Sequence, residues 1–187
     1  PFNAQIKAEI GPRIHFSGRV NDSEKVRARV IRWPRLSPDK NRIAFSAFNR
    51  VWTMNLPNGE PKRLTQLETG EFMPSWSPDG KHITFVTWSL DGGHIYRASI
   101  GTSPERLTQK PAFYADPVYT PSGKDIVFIT GTREDQLYSN LNVFQEKEIG
   151  GVRPSGTMDL RIISATGGPS TLIAATDGGR FPHFAND

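Results

Sequence analysis

The sequence contains no cysteine, which excludes disulfide bonds, thiol nucleophiles and cysteine metal ligands. Histidine is also scarce, and the four residues stand apart, without His-x-His or His-Glu-x-x-His spacing. The sequence therefore predicts no metal site and no cofactor. No Gly-x-Ser-x-Gly segment is present to indicate a serine nucleophile, so we predict no catalytic residue in this chain. The histidines are His15, His82, His94 and His183.

Long hydrophobic runs are absent as well. No apolar stretch approaches the roughly 20 residues of a membrane-spanning helix. The opening residues 1–4 (Pro-Phe-Asn-Ala) have neither the charged nor the apolar region of a signal peptide. We therefore expect no membrane span. A chain that opens on Pro1 without Met, and closes at Asp187 just after an apolar segment, is expected to be part of a longer protein.

Acidic residues are slightly outnumbered, because 23 Lys and Arg against 19 Asp and Glu give a net charge of +4. Several arginines crowd the first third of the chain, where they alternate with apolar residues, as in Val26-Arg27-Ala28-Arg29-Val30. Such alternation is typical of a strand with one solvated face, so we predict no nucleic-acid surface. These arginines are Arg27, Arg29, Arg32, Arg35, Arg42 and Arg50.

What the sequence does contain is an internal repeat. The segment 34–41, Pro-Arg-Leu-Ser-Pro-Asp-Lys-Asn, recurs at 74–81 and at 117–124, with offsets of 40 and 43 residues. Each copy is followed by an Ile-x-Phe segment, a third β-rich segment and a closing segment. The closing segments lie at 62–65, 105–108 and 170–173, and a fourth unit opens at 182–185, Pro-His-Phe-Ala.

The Ser-Pro-Asp-Gly part of the repeat has the chemistry of a tight turn between two antiparallel strands. Proline presets φ, aspartate bonds its own backbone, and glycine accepts the left-handed conformation. The first unit lacks this glycine. We expect Asn41 to take its place there, because asparagine tolerates positive φ better than other residues.

Each unit also carries one large apolar or aromatic side chain two residues after its leading proline. Period-2 alternation places this side chain on a buried strand face. We therefore predict that the four residues pack between neighbouring sheets. They are Leu36, Trp76, Tyr119 and Phe184.

Four short strands every 40 to 45 residues, without a helix-period segment, match a β-propeller blade. The sequence thus predicts an all-β fold, a partial β-propeller of about three to four four-stranded blades. We expect residues 1–33 to be the end of a preceding blade or extra strands, and 34–187 to be propeller. The predicted blades are 34–65, 74–108 and 117–173, followed by an opening strand at 180–187.

Ser-Pro-Asp-Gly-Lys, then Ile-x-Phe, then a closing Arg-Leu-Thr resembles the TolB-like, WD-related propeller repeat over about 34–187. The wording of 55–65, 92–96 and 179–184 is similar to a narrower group, the propeller region that precedes bacterial amidohydrolase domains. That resemblance implies a periplasmic or extracellular protein in which a metal-dependent hydrolase domain follows the propeller. Similar repeats also precede serine peptidase domains of the dipeptidyl-peptidase kind and occur in tricorn-like proteases.

Candidate binding residues lie in rim loops. The third unit carries an insertion between Ile129 and Leu160, and such extra length maps to a loop on one rim of a propeller, where partners commonly bind. Arg133, Tyr138 and Phe144 are its candidates, against the alternative of a solvated excursion. Two further candidates lie outside the insertion. Trp88 stands at a loop entrance, and His94 lies beside a Gly-Gly turn, where a structural hydrogen bond is the alternative to ligand binding.

Two functions fit these observations. The first is a non-catalytic scaffold or binding module for a ligand, a peptide or another protein. The second is the propeller part of an amidohydrolase-type or peptidase hydrolase, with the companion catalytic domain outside this chain. A third hypothesis, suggested by the resemblance, is a TolB-type interaction with protein partners in the cell envelope. Because so few blades leave strand edges and sheet faces open, we also expect a homo-oligomer.

Overall fold

The computed structural model describes residues 27–132, 158–176 and 179–185, and it contains twelve β-strands and no helix within them. The strands are β1 Arg32–Leu36, β2 Arg42–Ala47, β3 Arg50–Asn55, β4 Lys62–Arg63, β5 Gly70–Trp76, β6 Ile83–Trp88, β7 Ile95–Ala98, β8 Glu105–Arg106, β9 Phe113–Tyr119, β10 Asp125–Gly131, β11 Met158–Ser164 and β12 Thr171–Thr176.

The strands form three four-stranded antiparallel sheets, each built from four consecutive strands of the chain. The first strand of each sheet contacts the first strand of the next, since β1 packs against β5 and β5 against β9. These first strands are therefore the innermost strands of a radial arrangement. The prediction of an all-β partial propeller with four-stranded blades is confirmed.

The Ile-x-Phe segments form the second strand of every sheet. Their phenylalanines face equivalent partners on the third strand: Phe45 lies opposite Trp52, Phe85 opposite Tyr96, and Phe128 opposite Arg161. All three phenylalanines are buried. The recurrence of Phe in the sequence thus reflects one register position that every sheet fills with a large apolar side chain.

The hydrophobic core lies between the sheets, because each sheet is too thin to bury a side chain on its own. One cluster joins the first two sheets and includes Val51, Leu64 and Phe85. A second joins the second and third sheets, where Ile95 and Phe128 belong to a common group of buried side chains. Packing between neighbours therefore stabilises each unit, as expected for a repeat architecture.

The Ser-Pro-Asp-Gly segments form the predicted turns. In the second unit the Ser77 hydroxyl donates to the Asp79 carboxylate at 2.6 Å, and the Lys81 backbone N–H donates to the same oxygen at 3.0 Å. The hydrogen bond from Ser77, followed by that from Lys81, lowers the pKa of Asp79. Gly80 has the expected left-handed φ of +67°.

The expectation for Asn41 was wrong. In the first unit Lys40, with φ of +59°, takes the left-handed position, and Asn41 instead donates its backbone N–H to Asp39. Lys40 occupies the place of Gly80, directly after the aspartate. Turn geometry determines which residue adopts positive φ, and the side-chain preference of the next residue does not shift it.

The four predicted packing residues differ in exposure, depending on whether another sheet lies before their own. Trp76 and Tyr119 are 8% and 5% exposed, because each lies against the sheet before its own. Leu36 is 55% exposed and Phe184 is 41% exposed. The prediction is confirmed for the two inner units. It fails for Leu36, which has no described sheet before it, and for Phe184, which lies on a lone segment rather than in a sheet.

Two of the clustered arginines have structural contacts at the joint between the first two sheets. The Arg42 guanidinium lies 4.8 Å from the Trp76 ring and donates to the Gly80 carbonyl oxygen at 2.9 Å. Arg50 donates to the carbonyl oxygens of Glu68 and Thr69 in the segment that links the sheets. Within the described ranges, no helix is long and apolar enough to cross a membrane.

Candidate functional site

Each innermost segment contains one residue in an unusual backbone conformation. The residue directly before the leading proline has a positive φ in all four units: 49° at Trp33, 55° at Met73, 50° at Asp116 and 58° at Phe181. None of the four is glycine, and positive φ is uncommon for other residues. Such conformations cost of order 1–3 kcal/mol each and cluster at functional sites.

In the three sheets this conformation belongs to a β-bulge. The pairing register of the innermost strand shifts between Arg32 and Arg35, and between Phe72 and Ser75, and β9 shifts in the same place. A bulge leaves one residue out of the ladder and re-aims its side chain. The bulges therefore release one side chain per sheet from strand pairing at the centre of the arrangement.

The four left-handed residues surround one cavity, which we call the central hollow. It has a volume of about 20 Å³, room for about one water molecule, and takes its walls from all four units. Two tiers of side chains line it: the left-handed residues, and residues two positions further along the first three units. The lining residues are Trp33, Arg35, Met73, Pro74, Ser75, Asp116, Pro117, Val118, Phe181 and Pro182.

Asp116 ties the units together at the wall of the hollow. Its side chain is 4% exposed and accepts hydrogen bonds from Arg180 Nε at 2.7 Å and from the Phe181 backbone N–H at 3.3 Å. Its own backbone N–H donates to the Met73 sulfur at 3.3 Å. Asp116 thus holds the fourth segment, 179–185, against the third sheet and is the acidic residue of the lining.

One arginine lines the same cavity, and two others lie beside aromatic rings of its lining. Arg35 lines it, is exposed, and forms no ion pair with any residue the structure describes. Arg32 lies 5.9 Å from the Trp33 ring, and Arg180 lies 5.6 Å from the Phe181 ring. The lining of the central hollow therefore combines apolar walls with one arginine, Arg35, and one aspartate, Asp116, that is already paired with Arg180.

A buried carboxylate fastens the first sheet to the second, close to the bulge of the second sheet. Glu71, two residues before Met73, is fully buried and accepts the Val51 backbone N–H at 2.9 Å and the Thr65 hydroxyl. Glu71 belongs to the second sheet, whereas Val51 lies in β3 of the first sheet and Thr65 lies two residues after β4, the last strand of that sheet. The contact is a clasp between neighbouring units that supports the bulge beside it.

Trp88 ends β6 and lies away from the central hollow. Its ring meets Phe113 edge-on at 6.4 Å, and it packs on a buried cluster that includes Ile129 and Met158. The side chain is half-buried. Trp88 thus contributes to the joint between the second and third sheets, and ligand binding by Trp88 stays a prediction.

His94 also lies in the joint between the second and third sheets. Its Nδ1 is 3.1 Å from the Thr108 hydroxyl oxygen, and its ring lies 6.5 Å from those of Tyr96 and Tyr114. Burial, followed by the nearby charge of Arg106, lowers the pKa of His94. These contacts fit the structural hydrogen bond weighed as an alternative, and a binding role stays a prediction.

The remaining candidates, Arg133, Tyr138 and Phe144, lie outside the described residues. The structure does show where their segment leaves and re-enters the fold. Gly131, at the end of β10, pairs with Phe113 at the beginning of β9, and β11 begins at Met158. The insertion therefore starts at the end of the sheets where the innermost strands begin, whereas the bulges lie within those strands.

The residues of the central hollow were missed by sequence reasoning, although a signal was present. An X-Pro pair recurs at 33–34, 73–74, 116–117 and 181–182, where proline is constant and the preceding residue varies. A constant proline indicates fixed backbone, and a variable neighbour indicates a side chain released from the common core. Among the described residues, no group of three or more His, Asp or Glu lies close enough to bind a metal ion.

Sheets stacked radially around a lined centre define the β-propeller class. The pattern of the TolB beta propeller domain family (PD40) matches residues 18–151, and the chain belongs to this family.

The solved structures that resemble the chain share its fold. A putative TolB from Agrobacterium tumefaciens superposes with a TM-score of 0.61 at 20% identity, over 80% of this chain and 51% of that one. The acylaminoacyl peptidase of Pyrococcus horikoshii superposes with a TM-score of 0.52 at 17% identity, over 78% of this chain and 24% of that one.

A curated relative, described as an uncharacterized peptidase (YuxL) of Bacillus subtilis strain 168, is 38% identical over 65 residues. The match covers 32% of this chain and 10% of the relative. The chain thus spans about half or less of the length of each protein it resembles here.

Proposed function

We propose that this chain is a propeller module that binds an extended segment of a partner on the surface around the central hollow. The observation that carries the proposal is the set of four non-glycine, left-handed residues around one cavity. Glycine would adopt this conformation at little cost, yet the units place Trp33, Met73, Asp116 and Phe181 there. Strain retained in every unit, with a different side chain each time, fits a surface that recognises a ligand.

The composition of the cavity supports the same proposal. Ligand sites are concave, mostly apolar, and carry a few placed polar groups. The hollow has apolar walls in Trp33, Met73 and Val118, together with the polar groups of Arg35 and Ser75. Phe181 is 56% exposed at the cavity, and an exposed aromatic at a concave surface is typical of a binding contact.

The insertion between β10 and β11 is also part of the proposed binding surface. It begins after Gly131, which pairs with Phe113 at the beginning of the innermost strand β9, so the insertion starts on the rim where the innermost strands begin. We assign Arg133, Tyr138 and Phe144 to partner contacts there. Trp88 is the last residue of β6 and packs on the buried cluster that includes Ile129 of β10, and we propose that it supports this rim.

The test is selection of binding peptides. A display library of extended peptides is panned against the full chain, and the selected peptides are measured against Phe181→Asn, which removes the aromatic ring and tolerates positive φ. Ile100→Asn is the matched control, because Ile100 is 46% exposed and lies in the turn after β7, at the opposite end of the sheets. We expect binding to fall at least about tenfold in Phe181→Asn only. Binders indifferent to Phe181→Asn, or no binders, would contradict the proposal.

The second candidate is that this module belongs to a larger hydrolase, of the peptidase or amidohydrolase kind. The likeness to an uncharacterized peptidase and to the fold of an acylaminoacyl peptidase favours it. We expect the native protein, detected in its source by an antibody raised against this chain, to be much larger than 187 residues. A native product of this length would contradict the hydrolase assignment.

We also propose a periplasmic or extracellular location, on the basis of the TolB-like repeat. Fractionation of the source cells tests it directly. The antibody signal is expected in the periplasmic or secreted fraction, and a signal confined to the cytosol would refute the location.

Self-association through the face of the first sheet that no described sheet covers is the last part of the proposal. Leu36 is exposed there, whereas its counterparts Trp76 and Tyr119 are covered. Light scattering is expected to give the mass of a dimer or larger assembly, reduced by Leu36→Lys but not by Ile100→Lys. A monomer at high concentration would rule this out.

A further inference from the structure

A second cavity, which we call the joint cleft, opens where the first two sheets meet. It has a volume of about 290 Å³, whereas a cavity of about 150 Å³ is already large enough to hold benzene. Trp33 lines both the joint cleft and the central hollow, so the cleft adjoins the surface around the hollow. The lining of the cleft includes Arg32, Trp33, Ser46, Phe48, Asn49 and Phe72.

The joint cleft arises from two register positions that differ between units. In the second sheet Phe72 of β5 lies opposite Val86 of β6, and both side chains contribute to the packing between the second and third sheets. In the first sheet the same two positions hold Arg32 and Ser46, which also lie opposite each other. A charged and a small polar side chain thus stand where an aromatic and a branched one pack, and the joint is left unfilled.

Ser46 is itself a poor choice for a packed joint. It is 4% exposed, and its hydroxyl has no hydrogen-bond partner among the described residues. Because an unpaired buried hydroxyl is unfavourable, stability alone would favour an apolar residue there, such as the valine of the second unit. The wall of the cleft is therefore not optimised for packing.

The hairpin beside the cleft keeps an aromatic residue where the backbone favours another type. Phe48 and Asn49 form the two-residue connection between β2 and β3, with φ of +51° and +56°. Positive φ at both positions is typical of a type I′ turn, which prefers asparagine, aspartate or glycine at the first position. Phe48 occupies this position and is 56% exposed where it lines the cleft. A strained turn that presents an exposed ring fits a binding contact.

The second joint shows which side chain fits this place. Trp88 holds the position of Phe48, three residues after the phenylalanine of Ile-x-Phe, and its ring meets the Phe113 ring edge-on at 6.4 Å. Phe113 begins β9 as Gly70 begins β5, so the corresponding position of the first joint holds a glycine. The chain thus supplies an aromatic ring to Trp88 but none from this position to Phe48.

We propose that the joint cleft binds an aromatic side chain of the partner, as a counterpart of Phe113 in the second joint. This proposal rests on the proposed function and names the side chain that anchors the partner. The ring packs on Phe48, Trp33 and Phe72. Arg32 is exposed beside it, forms no ion pair with any residue in the described ranges, and donates to a backbone carbonyl oxygen of the partner.

The test follows the indole N–H signals of the full chain by two-dimensional NMR. The sequence has four tryptophans, and the variants Trp33→Phe and Trp88→Phe assign the two signals that are needed. The probe is N-acetyl-phenylalaninamide, and N-acetyl-leucinamide is the aliphatic control. We expect a saturable shift of the Trp33 signal but not of the Trp88 signal, with a dissociation constant on the order of 1 mM. The leucine probe should bind about threefold more weakly, or worse.

A variant of the hairpin separates binding from stability. Phe48→Asn removes the ring and introduces a residue that suits the turn, so binding should weaken at least about tenfold while the midpoint of thermal unfolding does not fall. Leu90→Asn is the matched control, because Leu90 is 82% exposed and lies in the second unit, two residues after β6. It should leave the response of the Trp33 signal unchanged.

The outcomes distinguish this inference from the proposed function. No shift of the Trp33 signal, or a shift that persists in Phe48→Asn, would refute the joint cleft as a binding site, whether it is closed or filled by another part of the chain. Equal binding of the leucine probe would refute the aromatic class. If library peptides bind and depend on Phe181 but tolerate Phe48→Asn, the inference fails while the proposed function stands. A probe that binds while the library yields no binder would refute the partner as the source of the ring.

Discussion

The indole nitrogen of Trp76 donates a hydrogen bond of 3.0 Å to the backbone carbonyl oxygen of Arg35, and so fastens the second sheet to the innermost strand of the first. Arg42, from the second strand of the first sheet, stacks on the same ring at 4.8 Å. One side chain thus joins two units by packing, a hydrogen bond and a cation–π contact.

Trp76→Phe keeps an aromatic ring at this joint but removes the indole N–H and part of the packing. We expect the free energy of unfolding to fall by about 1–2 kcal/mol in a urea titration. Trp52→Phe is the matched control, since the Trp52 indole donates to Ala47 within its own sheet at 2.9 Å. A loss no larger in Trp76→Phe than in Trp52→Phe would show that the joint contributes nothing special.

Removing the hydroxyl of Tyr119 is expected to change the free energy of unfolding in the opposite direction, toward greater stability. Its hydroxyl is buried, and no described residue offers it a hydrogen bond. Burial also raises the pKa of Tyr119, so the phenol stays neutral. Because an unsatisfied buried hydroxyl is unfavourable, Tyr119→Phe should raise the free energy of unfolding by about 1 kcal/mol.

Tyr114→Phe is the control for this pair, and the same urea titration compares them. The Tyr114 hydroxyl donates to the Lys110 carbonyl oxygen at 2.8 Å, so its removal should destabilise the fold. Equal effects of the two substitutions would disprove the assignment of an unpaired hydroxyl to Tyr119.

Two substitutions of Glu71 should lower the free energy of unfolding by different amounts. Glu71→Ala leaves the Val51 N–H buried without an acceptor and should lower the free energy of unfolding by about 2–4 kcal/mol. Glu71→Gln retains one carbonyl oxygen for Val51 and should cost about half as much. Hydrogen exchange at the Val51 amide is the local measurement, with Glu68→Ala on the exposed link as control. Unchanged hydrogen exchange at the Val51 amide in Glu71→Ala would show that Glu71 does not fasten the first two sheets.

His94 predicts a dependence of stability on pH. Burial, followed by the charge of Arg106, lowers the pKa of His94 in the folded state, so the unfolded state binds the proton more readily. Stability should therefore decline as the pH falls below about 6.5, the ordinary histidine value, until the folded pKa is reached. Thermal unfolding from about pH 7.5 to 5 measures this decline.

The matched variants for the pH experiment are His94→Gln and His183→Gln. The first should flatten the decline, whereas the second removes an exposed histidine and should leave it in place. A decline that persists in His94→Gln would assign it to other groups.

Much of the fold could be predicted from the sequence because the repeat states it three times. Ile-x-Phe recurs in all three units, and the turn before it is Ser-Pro-Asp in the first two units and Thr-Pro-Ser in the third. Local turn chemistry determines the rest. The failures have a common cause. The exposure of Leu36 depends on whether a sheet lies before its own, and none does among the described residues, while the φ of Lys40 depends on the turn. Neither property can be read from the residue itself.

The candidate site was harder to predict for a related reason. Trp33, Met73, Asp116 and Phe181 share no side-chain chemistry, so a search for clustered polar residues passes over them. They share only a backbone conformation with positive φ, and the proline that follows each of them is the one sign of it in the sequence. His94 and Trp88 attracted notice as rare residue types, yet the structure places both in the joint between sheets.

The direction in which the units cover one another has a consequence for biosynthesis. Trp76 and Tyr119 each bury themselves against a sheet encoded earlier in the chain. During translation, every such ring emerges from the ribosome after the surface that shelters it has been made. Nascent units can dock in order, so the growing polypeptide presents one uncovered sheet face at a time to chaperones or to misassembly.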